Sequence, residues 1–598
     1  MKNNNVNYSL TKTDIEKEKQ KGVLTTAWHR LVPLMVEEKR SVTISIVAIL
    51  VSSAASLVVP IIIAHIVDVY IVGKNFHGVL LFSGLLAGIF IANLVSNYIQ
   101  IITMGGVGRR LLFNLRGKIF SKLQELPVAF FNQNKAGDLI SRINNDTDKL
   151  NQFFSQALMQ FISGVILIVG TGVFILFINF QLGLIALVPA GIALVVTQIL
   201  NPWVKRASLK SLRALGGMSG EIQESINNFK VIVAFNRLDY FRNKFKEVNE
   251  TNYSASVSAG IASNVFNPVY VLASSLAQLA VLVYGIYLIS LGHFSVGLLI
   301  GFLLYVNNFY SPLRQLAAVW PSLQLALAGL DRISEVLSLE SDVRTISNKE
   351  ERISAPSDPA ASMEFKDVSF QYTEGKDVLK NINFTLEKGK TYALVGPTGG
   401  GKTTTASLMA RLYDPSKGTI YLEGKDIRRY ESSERVAKIG FILQEPFLFN
   451  GTVRENILYG NEEYSRYTDA ELSNVLEEAQ LTKLLARFSE GLDTKVVSSG
   501  DAISLGQKQL IAFIRAVLRS PDILILDEAT ANIDTVTEQL LQEIIDKLPE
   551  KTTKVIIAHR LNTIENADDI FFVNAGEVIR AGSMQHAMDM LLHGERQS

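Results

Sequence analysis

Six long apolar stretches occupy most of the chain before residue 320, and more polar segments separate them. Because a helix needs about 20 mostly apolar residues to cross a bilayer, each stretch predicts one membrane span. The spans lie near residues 42–72, 79–104, 156–179, 181–203, 266–291 and 295–320. An even number of spans places both ends of this region on the same side of the membrane.

The segments that join the spans alternate between short and long, and basic residues collect in the long ones. Lys and Arg close to the ends of spans are typical of the cytoplasmic side. They include Lys39, Arg40, Arg109, Arg110, Arg116, Lys118, Lys122, Lys205, Arg206, Lys210 and Arg213. The polar start of the chain, MKNNNVNYSLTKTDIEKEKQ, lacks the apolar core of a cleavable signal peptide. The pattern predicts that the long joins and both termini are cytoplasmic.

The two long joins keep the apolar spacing of a helix. Leu112, Leu115, Ile119 and Leu123 recur with charged residues between them, which predicts that the membrane helices extend into the cytoplasm. The spacing is interrupted or becomes amphipathic in VAFFNQNKAGDLISR and ESINNFKVIVAFNR. We expect these two segments to contact the soluble part of the protein.

A change of composition near residue 337 marks the end of the membrane-like sequence. Residues 337–362 are polar and contain proline, as is typical of a linker. Beyond them, strand-like runs alternate with helical patterns. The predicted organisation is a cytoplasmic segment over 1–38, an all-α six-helix transmembrane domain over 39–336, the linker, and an α/β domain over 363–598.

A phosphate-binding loop follows TYALV, an apolar strand pattern of the α/β domain. The loop fits G-x-x-x-x-G-K-[ST] and precedes helical sequence, as the motif requires. Backbone N–H groups of such a loop surround phosphate oxygens, Lys402 supplies a positive charge, and the Thr403 hydroxyl is a ligand for Mg²⁺. The predicted ATP-binding residues are Gly396, Pro397, Thr398, Gly399, Gly400, Gly401, Lys402, Thr403 and Thr404.

Two acids, Asp527 and Glu528, end a second apolar strand pattern farther along the chain. In a P-loop ATPase, a buried strand delivers a carboxylate to Mg²⁺ at its carboxyl end. Asp527 is the predicted metal ligand. Glu528 is predicted to orient or deprotonate the attacking water.

With these residues in view, the chain resembles the ABC exporter family of half-transporters, in which a membrane domain is fused to one ATP-binding cassette. The segment FNLRGKIFSKLQELPVAFFNQNKAGDLISRINNDTD is also similar to the family's first cytoplasmic arm. The resemblance implies an aromatic residue that stacks on adenine, a glutamine that touches Mg²⁺ and water, a signature segment, a dimer-crossing loop and a switch histidine. The matching positions are Tyr372, Gln444, Ser504, Gly506, Gln507, Asp534 and His559.

The mechanism that this resemblance implies needs two cassettes and two cofactors, ATP and Mg²⁺. In the family, the signature of one cassette binds the γ-phosphate held by the phosphate loop of the other. ATP then binds the closed pair more tightly than the open pair, and this difference drives a conformational equilibrium. Hydrolysis at Glu528 with His559 resets the cycle. The implied partner is a second half-transporter.

The signature departs from the family consensus L-S-G-G-Q, because its third residue is Leu505. Leucine restricts the backbone and adds bulk where glycine permits close approach to a phosphate. Residues 497–500, Val-Ser-Ser-Gly, also depart from the family's usual Gly-Glu-Arg-Gly. In asymmetric members of the family, the half that keeps the catalytic glutamate has an altered third signature residue, and its partner lacks the glutamate. This chain resembles the first kind of half, so we favour a heterodimer. A homodimer that tolerates leucine is the alternative.

Composition narrows the possible functions further. A net charge of +1 gives no basic field for nucleic acid, and the absence of cysteine excludes disulfides, thiolate metal sites and a cysteine nucleophile. Six spans exclude a soluble ATPase of DNA repair or translation. We expect ATP-driven export of an amphipathic drug, lipid or peptide across a lipid bilayer, the inner membrane of a bacterial cell. An importer, for example of siderophores, and an ATP-gated channel or regulatory subunit are the alternatives.

Overall fold

The computed structural model describes residues 8, 10, 33, 35–340, 361–372, 376–497, 503–527, 535–557 and 567–593. The chain divides into two compact units. The membrane unit comprises Lys12–Leu123 and Gly137–Ser338, and the cassette unit comprises Met1–Thr11, Gln124–Ala136 and Leu339–Ser598. The tip of the first long join therefore packs with the last part of the chain.

Helices account for nearly all of the described chain up to residue 338. They are α1 (Lys39–His65), α2 (Phe76–Glu125), α3 (Val128–Gln133), α4 (Ala136–Ser141), α5 (Thr147–Gln152), α6 (Leu158–Ile178), α7 (Phe180–Asn227), α8 (Phe229–Ala234), α9 (Leu238–Asn264), α10 (Phe266–Ser290) and α11 (Val296–Ser338). Short π-helical turns cover Ile66–Ile71, Arg142–Asp146 and Phe153–Ala157. The second and third of these turns connect the helices on either side of them without a loop, whereas residues 72–75 form a turn between the first and α2.

Within the described residues, six helical stretches are long and apolar enough to cross a membrane, which confirms the six predicted spans. They are Val36–Ile71, Phe76–Glu125, Ala136–Ile178, Phe180–Asn227, Leu238–Ser290 and Val296–Leu316. The 50 residues of α2 and the 48 of α7 far exceed the ~20 that a span requires, so the predicted helical extensions are present. The helices end where the sequence pattern is interrupted, at Glu125 and at Asn227.

The cassette unit contains two larger sheets, a two-stranded pair and short helices. Its strands are β1 (Ala361–Phe370), β2 (Leu379–Glu387), β3 (Thr391–Val395), β4 (Lys417–Leu422), β5 (Lys425–Asp426), β6 (Ile439–Ile442), β7 (Gly451–Thr452), β8 (Lys495–Val496), β9 (Ile523–Asp527), β10 (Thr553–Ile557), β11 (Asp569–Asn574) and β12 (Glu577–Arg580). Its further helices are α12 (Lys402–Met409), α13 (Ser432–Lys438), α14 (Val453–Ile457), α15 (Asp469–Glu478), α16 (Thr482–Leu485), α17 (Leu505–Val517), α18 (Thr535–Asp546) and α19 (Met584–His593).

The six-stranded sheet determines where the functional residues lie. Its order is β12-β11-β3-β10-β9-β6, and all neighbouring strands from β11 to β6 are parallel. Apolar side chains cover both faces, as is usual for parallel strands, and the four-stranded sheet β2-β1-β4-β5 packs on one of them. Parallel pairing brings the carboxyl ends of β3, β6, β9 and β10 to one edge.

Some polar side chains within the spans bond to a neighbouring helix. The Ser52 hydroxyl of α1 donates to the Asn93 side-chain oxygen of α2 over 2.7 Å, and the Asn308 amide of α11 donates to the Ser56 carbonyl over 3.1 Å. Asn93 and Asn308 are therefore interhelical hydrogen-bond partners.

Asp68 has a more definite role than its position near the end of the first span suggests. Its carboxylate accepts a hydrogen bond from the Gly297 backbone N–H over 2.8 Å and another from the Ser295 hydroxyl. Both residues lie at the start of α11, whose first N–H groups have no partner inside the helix. Asp68 therefore caps α11 and connects the first and last spans.

A cluster of charged side chains joins the third membrane segment to the far end of α11. Asp146 is fully buried, and its carboxylate binds Arg332 and, over 3.0 Å, Lys149. Arg142 binds Glu335 over 2.7 Å. Breaking such a buried pair costs far more than breaking an exposed one, because it leaves a charge without a partner.

We expect Asp146→Asn to destabilise the protein by about 3 kcal/mol, since Arg332 and Lys149 would both lose their anion. Asp148→Asn is the matched control. Its partner, Arg116, lies 3.2 Å away, and both side chains are partly exposed, so the loss should stay below about 1 kcal/mol. Thermal unfolding in detergent measures both variants, and equal losses would contradict the role given to the buried cluster.

Candidate ATP site

The phosphate loop runs from β3 into α12 and passes very close to the end of β11. A Cβ atom at Gly396 would lie 2.1 Å from the Val573 carbonyl oxygen, and one at Gly400 would lie 2.4 Å from the same atom. Gly396, Gly399 and Gly401 also have positive φ angles of 142°, 82° and 117°. Steric contact and backbone conformation together require glycine in this loop.

Lys402 is the first residue of α12, and its side chain is bent back over the loop. Its ammonium group donates to the carbonyl oxygens of Gly396 and Pro397 over 2.8 and 3.1 Å, and only 6% of the residue is exposed. The charge therefore lies inside the loop, where a nucleotide's phosphates would be held. Pro397, Thr398 and Gly399 form its exposed tip.

Thr403 and Asp527 approach each other across the sheet edge. The Thr403 hydroxyl lies 3.4 Å from a carboxylate oxygen of Asp527, which is the last residue of β9 and is 1% exposed. A hydroxyl and a carboxylate are the hard oxygen ligands that Mg²⁺ prefers, and it usually takes its other ligands from water and substrate phosphates. The two residues fit a magnesium ion bound together with ATP.

Two further predicted residues follow strands that end at the same edge. Gln444 comes two residues after β6 and is exposed. His559 comes two residues after Ile557, which pairs with both Leu394 of β3 and Asp527 of β9. Glu528, Asp534 and His559 lie outside the described residues, so their predicted roles remain predictions.

Tyr372 lies next to the start of α12. Its hydroxyl is 3.1 Å from that of Thr404, and 42% of the residue is exposed. Its ring meets those of Phe370 and Tyr413 edge to face, with centroid distances of 4.9 and 5.2 Å. An exposed ring that is supported on two sides in this way can stack on the adenine ring of a nucleotide.

Tyr413 is a residue of this region that the sequence motifs missed. Its hydroxyl accepts a hydrogen bond from the side-chain amide of Asn132 in α3, and burial raises the pKa of Tyr413. Tyr413 thus touches both the predicted adenine platform and the tip of the first long join. The sequence feature that could have indicated this role is an aromatic residue soon after the phosphate-loop helix, in RLYDP.

The signature segment forms the start of α17. Ser504 caps this helix: its hydroxyl accepts from the Gln507 N–H over 3.2 Å, and the Gln507 side-chain oxygen accepts from the Ser504 N–H over 3.0 Å. The other end of Gln507 donates to the Arg487 carbonyl over 2.9 Å. Gln507 therefore shapes the helix start, and Ser504 and Gly506 remain the better candidates for direct contact with phosphate.

Leu505 lies in a backbone conformation that leucine accommodates without strain. It opens a regular helix and is not among the non-glycine residues with positive φ in the described part of the chain. The backbone of the segment needs no glycine here. Because Leu505 is 45% exposed, its effect reduces to side-chain bulk on the surface.

An apolar groove of about 270 Å³ adjoins the loop that contains Gln444. Leu443 and Phe447 line it and are 46% and 59% exposed. In the membrane unit, α8 carries similarly exposed side chains, including Phe229 and Val231. Both surfaces have the apolar character of a docking contact.

Comparison with known proteins agrees with this geometry. The family described as "ABC transporter transmembrane region" matches residues 42–313, and the family described as "ABC transporter" matches residues 379–531. The chain is 35% identical over 94% of its length to an uncharacterized ABC transporter ATP-binding protein, YfiC, of Bacillus subtilis, and covers 91% of that protein.

Other relatives carry more specific descriptions. A multidrug resistance ABC transporter ATP-binding and permease protein of Lactococcus lactis is 30% identical, with 90% of this chain and 89% of that one covered. A fatty acid ABC transporter ATP-binding/permease protein of Mycobacterium bovis is 32% identical, with 79% and 74% covered. A solved bacterial Atm1-family ABC exporter with ATP bound has the same fold, with a TM-score of 0.76, 24% identity and coverage of 94% and 99%. The chain therefore belongs to the ABC exporters, with one transmembrane region and one ATP-binding cassette fused in a single polypeptide.

Proposed function

We propose that this chain is one half of a dimeric transporter that uses ATP to export an amphipathic compound from the bacterial cytoplasm by alternating access. One observation carries the proposal: a phosphate loop that requires glycine at two positions, together with Lys402, Thr403 and Asp527, belongs to the same chain as six apolar spans. The relatives described as multidrug and fatty acid transporters support an amphipathic substrate.

The chain's own residues would divide the work of ATP hydrolysis. The loop N–H groups and Lys402 would hold the phosphates, and Tyr372 would hold the base. Mg²⁺, bound by Thr403 and Asp527 together with phosphate oxygens, supplies positive charge that offsets the charge developing on the transferred group. Glu528, with Gln444 and His559, would position the attacking water and accept its proton.

The exposed start of α17 favours an ATP site shared between two chains. In the proposed dimer, Ser504 and Gly506 of one chain would face the phosphates held by Lys402 of the other, and the crossing-loop residue Asp534 would lie between the two sites. Closure of the pair would move the arms, since α3 already bonds to Tyr413 in the cassette unit.

Transport in inside-out membrane vesicles tests the direction and the substrate class. With ATP, we expect tetraphenylphosphonium or palmitate to accumulate inside vesicles that contain the transporter. An importer would deplete the compound from the vesicles, and a channel would only equilibrate it. Either of these results would contradict export.

Replacement of the proposed base separates hydrolysis from binding. Glu528→Gln should lower ATP turnover by roughly 100-fold or more and leave nucleotide affinity nearly unchanged, because the carboxylate acts on water. Lys402→Ala should instead weaken ATP binding, since it removes the charge inside the loop. Steady-state hydrolysis and binding of a fluorescent ATP analogue report the two effects, and near-native turnover by Glu528→Gln in the complete dimer would rule out its assignment as the base.

The composition of the dimer can be tested at Leu505. In the heterodimer that we favour, Leu505 faces the ATP site whose chain lacks a catalytic glutamate, so Leu505→Gly should change turnover by less than about twofold. The chain purified alone should hydrolyse ATP poorly, and co-expression with its partner should restore activity. A homodimer predicts robust turnover by this chain alone, with the substitution acting on both sites; that result would overturn the heterodimer.

A further inference from the structure

Tyr8 is fully packed although it lies in a strongly polar segment. It is 1% exposed and is the only aromatic residue among the first 20. Its ring meets the ring of Phe130 edge to face, with centroids 6.3 Å apart, and Phe130 itself is 0% exposed. Phe130 belongs to α3, the short helix at the tip of the first long join. An aromatic pair of this kind stabilises beyond the area that it buries.

The last residue of α3 and the residue after it bind the backbone of the same N-terminal segment. The Asn134 side chain donates to the Tyr8 carbonyl over 2.9 Å and accepts from the Leu10 N–H over 3.0 Å. The Gln133 side chain accepts from the Tyr8 N–H over 2.9 Å. One amide thus bonds to two backbone groups two residues apart, in the way that a neighbouring strand would.

Two more hydrogen bonds extend the connection beyond α3. The Tyr8 hydroxyl donates to the carbonyl of Glu340, two residues after α11 ends. On the other side, Asn132 of α3 donates to Tyr413, which supports the predicted base platform Tyr372. Tyr8 therefore lies between the tip of an arm and the segment that follows the last membrane helix.

We propose that Tyr8 and Leu10 form an N-terminal latch that holds α3 in register with the chain leaving α11 and so sets how strongly ATP hydrolysis responds to transported substrate. With the latch bound, α3 is held against Tyr413, and Tyr413 in turn contacts Tyr372, the predicted adenine-binding residue. With the latch released, α3 loses the Phe130 ring contact and the backbone bonds to Gln133 and Asn134. The effect on coupling rests on the proposed function, whereas binding of the latch does not.

Hydrogen exchange tests the latch in the full-length protein, independently of transport. In the unmodified protein, the amides of Tyr8 and Leu10 should exchange slowly within the otherwise polar segment, because both donate to side chains of the arm. Asn134→Ala should speed exchange at Leu10 by roughly fivefold, as loss of one hydrogen bond implies. Fast exchange at both amides in the unmodified protein would overturn the proposal.

Paired substitutions at Leu10 test whether the latch affects the stimulation of ATP hydrolysis by substrate. Leu10→Pro removes the N–H that Asn134 accepts, whereas Leu10→Ala keeps it. Leu10→Pro should reduce the stimulation of ATP hydrolysis by tetraphenylphosphonium or palmitate by about two- to thirtyfold, the usual range for residues that modulate coupling, and leave basal hydrolysis unchanged. Leu10→Ala should behave like the parent.

Tyr8→Phe and Tyr8→Ala distinguish the contribution of the hydroxyl from that of the ring, because the first removes only the hydroxyl and the second removes both. Phenylalanine loses only the bond to Glu340 and should have the smaller effect. Equal stimulation in Leu10→Pro and Leu10→Ala would overturn the role in coupling. If neither probe stimulates the parent protein, the proposed substrate class fails, while the exchange experiment still decides whether the latch exists.

Discussion

The close approach of the phosphate loop to the Val573 carbonyl is the constraint on which the ATP site depends. At 2.1 Å from a hypothetical Cβ atom at Gly396, that oxygen leaves no room for any side chain, and the loop can turn only because three of its glycines adopt positive φ. The turn directs Lys402 back into the loop and starts α12 there. Thr403 then faces Asp527, since parallel pairing through β10 fixes the distance between β3 and β9.

A short series of contacts connects the ATP site to the tip of the first long join. Tyr372 beside Thr404 touches Tyr413, and Tyr413 accepts a hydrogen bond from Asn132 at the tip of the first long join. Ring contacts and hydrogen bonds of this kind carry a conformational signal only if the element that they hold has two states. The proposed latch would make α3 such an element, since Tyr8 contacts it on one side and Tyr413 on the other.

Much of this could be predicted from the sequence, because the responsible patterns are local. Apolar length predicts each span, and the glycines with Lys402 and Thr403 specify the loop within a few consecutive residues. Long-range contacts were harder to predict. Nothing near Asp68 indicates that it caps α11 more than 200 residues away, and nothing near Tyr8 indicates burial against Phe130. Leu505 shows a third limit: its backbone is that of a regular helix, which leucine accommodates, and the motif alone did not indicate this.

In the proposed dimer, ATP joins two cassettes by placing the signature helix of one chain on the phosphate loop of the other. Because the chain contains no cysteine, a single cysteine at exposed Glu477 in α15, with one at the matching position of the other half, gives two defined spin labels. Pulsed electron resonance then measures the distance between the cassettes in the Glu528→Gln dimer. The account predicts a clear shortening when ATP and Mg²⁺ are added, and none when Lys402→Ala is also present. An unchanged distance at saturating ATP would contradict it.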